Sequence, residues 1–241
     1  EFAYQGPKLK YIGENISINV TGDVNFKIIR KNKNLEFSCY ENIILENNDC
    51  LDILSTNRSV YGYLSIGGTF EVDYYLNSCS TNTKAKIGAN SGEKLKKGQI
   101  IHLKNIKKIL PKNKIEYLNS KIENIRIIKG PHFDYFSKDA IDLFFGNEFN
   151  ITKLSDRMGI RLKGPKISNI KNTNIKSEGL VKGVIQITAD GDPIIMLSDH
   201  GTIGGYPKIG VVISADYDKL VQIPPGSKIK FKEINLKDAE T

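Results

Sequence analysis

Gly183-Val184-Ile185-Gln186-Ile187-Thr188, then Ala189-Asp190-Gly191-Asp192-Pro193, then Ile194-Ile195-Met196-Leu197: this stretch reads as two apolar strands joined by an Asp-Gly turn. Asp-Gly favours the left-handed backbone that a tight β-hairpin requires. Working outward, Ile209 to Ser214 is a further apolar strand, and Pro225-Gly226 turns the chain into Lys228 to Phe231. On the other side, Ile160 to Leu162 is a short strand stopped by Gly164-Pro165, and Ile125 to Ile128 is one stopped by Gly130-Pro131. Phe133 to Phe145 reads as the clearest helix, with Ser137 as N-cap, Asp139 in the first turn and Gly146 as its stop.

The first half repeats the pattern. Ile16-Ser17-Ile18-Asn19-Val20 alternates strictly, Gly22-Asp23 turns, and Phe26 to Ile29 resumes, which predicts a hairpin. Phe37 to Leu45 holds two short apolar runs, and Leu51 to Leu54 and Tyr61 to Ile66 read as strands, the last ending at Gly67-Gly68. A turn and strand follow at Gly98 to Leu103, then a basic connector from Lys104 to about Asn119, interrupted by Pro111. This connector predicts a boundary between a domain at 1–118 and another at 119–241. Leu95 to Leu103 resembles Ile223 to Phe231, as if each half closed with a glycine turn and a final strand. Many short strands with few helices favour closed or nearly closed sheets, which leave no exposed edges.

Composition narrows the classes. The 241 residues carry a net charge of +8, and only five of the 35 basic residues are arginine. Scattered lysine suits a solvated surface better than a nucleic-acid reader, which concentrates bidentate arginine. Cys39, Cys50 and Cys79 fit neither a disulfide framework nor a zinc motif, so a reducing, cytoplasmic setting is expected. No apolar run reaches the length of a membrane span, so no transmembrane helix is expected, and Glu1 to Lys10 read as the inside of a protein rather than as a signal peptide. With three histidines, His102, His132 and His200, a histidine-rich metal site is excluded. There is no P-loop, dinucleotide fingerprint or nucleophile elbow.

Polar residues cluster instead around glycines. Ser155-Asp156-Arg157-Met158-Gly159 can clamp a carboxylate or phosphate through the guanidinium fork, or be a turn closed by its own ion pair. Ser177-Glu178-Gly179, Gln186 and the Asp190–Asp192 turn offer carboxylates for a cation or for water; turn chemistry also accounts for the aspartates. Asp199-His200-Gly201-Thr202-Ile203-Gly204-Gly205-Tyr206-Pro207-Lys208 is the most unusual group. Its glycines expose N–H groups that can cradle an anion or an amide, and Asp199 beside His200 can move protons. The alternative is a tight connection between strands. Gly67-Gly68-Thr69, near Ser80-Thr81, is a weaker group of the same kind.

These residues resemble the allophanate hydrolase subunit 2-like family, also described as biotin-dependent carboxyltransferase-like proteins. The resemblance spans nearly the whole chain. It is carried by Tyr63 to Gly68, Ser80-Thr81, Gly92, Leu95 to Gly98, Gly130-Pro131, Ser155 to Gly159, Leu162, Gly164-Pro165 and Ser177 to Gly179. It continues through Gly183, Gln186, Asp190-Gly191, Pro193, Asp199 and Gly204 to Pro207. The family implies a mostly β chain of two tandem cyclophilin-like β-barrel domains with a few short helices. Its bacterial members imply a subunit of an ATP-dependent 5-oxoprolinase, opening 5-oxo-L-proline to L-glutamate. ATP and Mg2+ are then needed by the assembled enzyme. The partners are a sister B-like subunit and a third, A-like subunit, with no nucleic acid and no membrane. Family members open with a Thr-Val-Gln-Asp-x-Gly-Arg-like segment and carry a later glycine-rich stretch, neither of which occurs here, so either upstream residues of the first domain are expected to be missing from this chain or a divergent member has lost them. Cys79 stands where the family commonly has arginine, and Gly201 and Ile203 where it has polar residues.

On this reading Asp190, Asp199 and Glu178 are candidates for proton handling or magnesium, and Arg157 and Lys208 for anion contacts. Gly204 and Gly205 are candidates for N–H donation, Tyr206 and Gln186 for orienting substrate. Ser155, Asp156, Gly67 and Gly68 complete the expected substrate- or phosphate-binding set. Two other functions compete with the hydrolase. One is carboxyl transfer from biotin, with the carrier elsewhere, since no Met-Lys-Met attachment sequence occurs. The other is a non-catalytic module that binds its sister subunit.

Overall fold

A computed structural model of the chain describes residues 1–107, 109–111, 113–116, 124–168 and 174–240. The chain divides into two compact units, one formed by residues 1–57 and 61–117, the other by 58–60 and 118–241. The predicted boundary at 118/119 and part of the basic connector lie outside the described residues. Residues 58–60, a loop of the first half, group with the second unit, where the Val60 N–H donates to Gln222 Oε1 at 3.1 Å.

The first unit contains β1 (Phe2–Ala3), β2 (Lys8–Lys10), β3 (Ile16–Thr21), β4 (Val24–Arg30), β5 (Lys33–Glu36), β6 (Ile43–Leu45), β7 (Cys50–Thr56) and β8 (Tyr61–Ile66). They form two four-stranded antiparallel sheets, β1-β8-β3-β6 and β2-β7-β4-β5. Alternate residues of each sheet, including Ile16, Ile18 and Val20 from one and Phe26, Ile28, Leu51 and Ile53 from the other, are buried together as one core. Beyond them lie two-residue ribbons: β9 (Thr69–Phe70) pairs with β12 (Leu103–Lys104), and β10 (Thr81–Asn82) with β11 (Ile87–Gly88).

The predicted hairpin across Gly22-Asp23 does not form. The turn is present, but β3 and β4 diverge into different sheets, so the strictly alternating stretch is a corner between layers. Gly22 takes φ +107°, and a Cβ there would lie 2.9 Å from the Tyr61 carbonyl, which only glycine tolerates. The actual hairpin joins β4 to β5 through Lys31-Asn32, both in the left-handed region.

The second unit is a closed barrel. Its strands are β13 (Ile125–Lys129), β14 (Glu148–Ile151), β15 (Gly159–Lys163), β17 (Val184–Ile187), β18 (Pro193–Met196), β20 (Lys208–Val212) and β21 (Lys228–Glu233), in the order β13-β20-β17-β18-β15-β14-β21. The predicted Asp190-Gly191 hairpin is present as β17–β18. All neighbours are antiparallel except β13 and β21, whose parallel pairing closes the ring. A separate two-residue ribbon joins β16 (Glu178–Gly179) to β19 (Ile203–Gly204).

The predicted helix at 133–145 is two pieces, a 3-10 turn at Phe133–Tyr135 and α1 (Lys138–Gly146). Ser137 caps α1 as expected, its hydroxyl accepting from the Ala140 N–H at 3.2 Å, and Gly146 is the last helical residue rather than the stop. The strand predicted to reach Ser214 stops at Val212. Ser214 opens α2 (Ser214–Val221), and α3 (Leu236–Glu240) follows β21. The suggested repeat is unequal: β21 is a six-residue barrel stave, whereas its counterpart β12 has two residues and, among the described residues, pairs with β9 alone.

Candidate functional site

In β17, Ile185 and Ile187 point into the barrel core, as does Ile209 in β20. Gln186 and Lys208, one residue out of phase with these and paired with each other in register, therefore lie on the outer side of the wall. Both are nonetheless buried, at 3% exposure each. The β16–β19 ribbon covers them: a Cβ on Gly204 would come within 2.8 Å of Gln186 Nε2, so the glycine lets the ribbon lie flat on this side chain. Gln186 Nε2 donates to the Tyr206 carbonyl at 3.0 Å, and the Ile175 N–H donates to the Gly205 carbonyl at 2.8 Å, fixing the segment on either side.

Under the ribbon edge, Lys208 Nζ donates to Glu178 Oε2 at 2.9 Å. The Lys208 side chain is 4% exposed and that of Glu178 48%. The Lys208 ammonium holds the Glu178 carboxyl below the ordinary glutamate range, with His132 adding to the effect and desolvation opposing it. His132 Nε2 lies 3.6 Å from the same oxygen. The Lys208 backbone N–H donates to His132 Nδ1 at 3.3 Å, which assigns the ring proton to Nε2, facing Glu178. Tyr135 meets the imidazole edge-on at 4.9 Å. The segment docks because Gly130 lies against β20: its N–H donates to the Ile209 carbonyl at 3.0 Å, and a Cβ there would meet the Lys208 carbonyl at 2.4 Å.

Six of the predicted site residues, Glu178, Gln186, Gly204, Gly205, Tyr206 and Lys208, thus come together. His132 joins them and was not among the predicted residues. Its only signal was its place after Gly130-Pro131, and a lone histidine there reads as nothing special until the fold lays it on β20.

The rest lie elsewhere. Arg157 and Asp199 form an exposed pair, Nε to Oδ2 at 2.9 Å and Nη2 to Oδ1 at 3.2 Å, and the Asp199 N–H donates to the Arg157 carbonyl. Asp199 comes just beyond the Met196 end of β18, and Met196 pairs with Gly159 next to Arg157; Gln186 pairs with Ile194, towards the other end of that strand. The Arg157 pair and the Lys208 cluster are therefore at different ends of the strands. The Asp156 carboxylate accepts from the Met158 N–H at 2.8 Å and the Ser155 hydroxyl from the Arg161 N–H at 3.0 Å, so both shape this turn. Asp190 is exposed in the β17–β18 turn. Its neighbour Asp192 is gripped by Lys163 and Lys166. In the first unit the Gly67 N–H donates to the Ser17 carbonyl at 2.6 Å, and Gly68 packs on Ile106.

A magnesium site built from Glu178, Asp190 and Asp199 does not fit this arrangement, since Glu178 faces Lys208, Asp199 faces Arg157 and Asp190 stands apart from both. Among the described residues no three His, Cys, Asp or Glu side chains converge to hold a metal ion. Among them, too, no helix is long and apolar enough to cross a membrane.

Comparison with known proteins places the chain. It is 33% identical over 193 residues to the 5-oxoprolinase C subunit of Escherichia coli K12, covering 77% of this chain and 61% of that protein. It is 33% identical over 180 residues to the 5-oxoprolinase C subunit of Haemophilus influenzae, covering 75% and 58% respectively. The chain spans about three fifths of the length of these curated relatives. The crystal structure of Kluyveromyces lactis urea carboxylase matches with a TM-score of 0.85 at 26% identity, over 99% of this chain and 23% of that one. The model of the carboxyltransferase domain, subdomain A and B, matches residues 1–233, and the chain belongs to that family.

Proposed function

We propose that the chain is part of a 5-oxoprolinase, acting with a sister B-like subunit and a third, A-like subunit to open 5-oxo-L-proline to L-glutamate with ATP hydrolysis. The observation that carries this reading is the 33% identity to the 5-oxoprolinase C subunit along three quarters of the chain. The cluster under the β16–β19 ribbon is the place for the substrate. A lactam acid presents a carboxylate, a carbonyl and an N–H. The cluster offers an ammonium, an imidazole N–H, a carboxamide and a carboxylate, and a largely buried setting strengthens each contact. Lactam opening develops negative charge on the carbonyl oxygen, which fixed donors of this kind stabilise. ATP and Mg2+ are supplied to the assembled enzyme on this reading, and no residue of this chain is assigned to either.

The test is reconstitution from the purified subunits, with this chain at its full natural length. Glutamate formation that needs ATP and this chain together is the expected result. Undiminished conversion without this chain rejects the reading, and conversion only in its presence rejects a purely regulatory role. A second reading, carboxyl transfer from biotin, is favoured by the TM-score of 0.85 to urea carboxylase over 99% of the chain. Labelled bicarbonate entering a product would select it over the hydrolase.

A further inference from the structure

Two other ion pairs in this protein define what a structural pair looks like in it. Asp49 is 2% exposed and takes Arg30 through Nε and Nη2, with the Glu46 N–H as an additional donor. Asp216 is 3% exposed and takes Arg126 through Nε and Nη2, with the Arg126 N–H in addition. In both the carboxylate is the buried member, both its oxygens are engaged, and a planar guanidinium fixes the geometry.

The Lys208–Glu178 pair is built the other way round. The cation is the buried member at 4%, and the carboxylate is 48% exposed. Among the described residues it is gripped through Oε2 alone, the oxygen that His132 Nε2 also faces. Its carrier is a ribbon of two residue pairs, Glu178 with Gly204 and Gly179 with Ile203. Among the described residues nothing lies within 4 Å of a Cβ on Gly179, and Ile203 is 63% exposed. An ammonium taken out of water is strongly unfavourable unless a partner charge compensates it. Here the compensating charge is on the half-exposed member, carried by a short ribbon, so the carboxylate already meets solvent while the ammonium does not.

We propose that Lys208 Nζ and His132 Nε2–H form a seat for the carboxylate of a small organic acid, which the Glu178 side chain occupies from its ribbon and yields by exchange. One ammonium and one imidazole N–H donor converging on a single oxygen match a carboxylate better than a phosphate dianion. The inference rests on the reading of this cluster as the substrate site and deepens it: the acid group of 5-oxoproline, rather than its ring, is what Lys208 takes.

The test is a titration of the 241-residue chain, followed by NMR, with 5-oxo-L-proline, with its uncharged carboxamide analogue and with inorganic phosphate. Glu178→Gln removes the tethered competitor, whose effective concentration is on the order of millimolar, so 5-oxo-L-proline should bind about tenfold tighter or more. Lys208→Met should abolish that binding, and the carboxamide should bind to none of the chains. Unchanged affinity in E178Q overturns the proposal, as do equal binding of acid and carboxamide or preference for phosphate. An E178Q chain that does not fold makes Glu178 an anchor and overturns it as well; if K208M does not fold, the E178Q titration decides. A missing seat in a reconstituted enzyme that still turns over sinks this inference alone. A seat present in a complex without turnover sinks the functional reading instead.

Discussion

A single hydrogen atom in place of a methyl group is what lets Gly130 bring His132 to Lys208. The obstacle a Cβ would meet is backbone, the Lys208 carbonyl at 2.4 Å and the Gly210 nitrogen at 2.8 Å, so no rotamer change relieves it. Gly130→Ala should therefore push Gly130-Pro131-His132 off β20 and cost about 1–3 kcal/mol, as overpacking does. A urea midpoint measures that cost. The same variant should lose the NMR contact between the His132 ring and the Lys208 amide, which a distant destabilising substitution of equal size would keep. Gly204 works by the same logic against Gln186, but its neighbours are side-chain atoms that can give way.

At the scale of elements, α2 is tied to β13 by charge. Burial, the largest influence on Asp216, pushes its carboxyl up; the Arg126 guanidinium and N–H outweigh this and hold it below the ordinary aspartate range. Asp49 is lowered in the same way through Arg30 and the Glu46 N–H. A carboxyl with a depressed native pKa contributes its full stabilisation above the unfolded value, about 3.9. That contribution is lost as pH falls from there through the lower native value. Stability should accordingly be insensitive to these groups at neutral pH and fall below about pH 4. Asp216→Asn should cost about 2 kcal/mol at pH 7, the value of a charged hydrogen bond, with Arg126's 42% exposure moderating it. It should also flatten the acid decline. Urea midpoints between pH 7 and pH 3 check both; a parallel decline in the variant would remove Asp216 from the explanation.

Across the whole molecule, each unit has its own core. In the barrel the centre is aromatic: Phe144 on α1 stacks on Phe231 at 4.5 Å and meets Phe149 at 5.7 Å, and it is fully buried. This contact holds α1 on β21, the strand that closes the ring by its parallel pairing with β13. Phe144→Ala should cost about 3–5 kcal/mol, the range for a buried aromatic. That is a large share of the roughly 5–15 kcal/mol that holds an ordinary domain together. Hydrogen exchange should report it: the β13 and β17 amides lose protection, while those of β3 and β7 in the other unit keep theirs. Equal loss in both units would mean that they unfold as one.

The sequence alone determined that the chain is mostly β, that Asp190-Gly191 makes a hairpin and that Ser137 caps a helix. These follow from local chemistry: alternation, turn residues and caps act within a few residues of the chain. The family resemblance carried the grouping of the site further than spacing could. Strand partners were not legible: Gly22-Asp23 reads as a hairpin, but the turn is a corner, because local sequence sets a turn and only the packing of two layers sets which sheet each strand joins. Nor could spacing separate Arg157 and Asp199 from Lys208, since the ends of a strand are a matter of barrel register. The burial of Lys208 and the arrival of His132 beneath a two-residue ribbon were likewise decided by tertiary structure. Whether a lysine is solvated or sealed depends on what the folded chain lays over it.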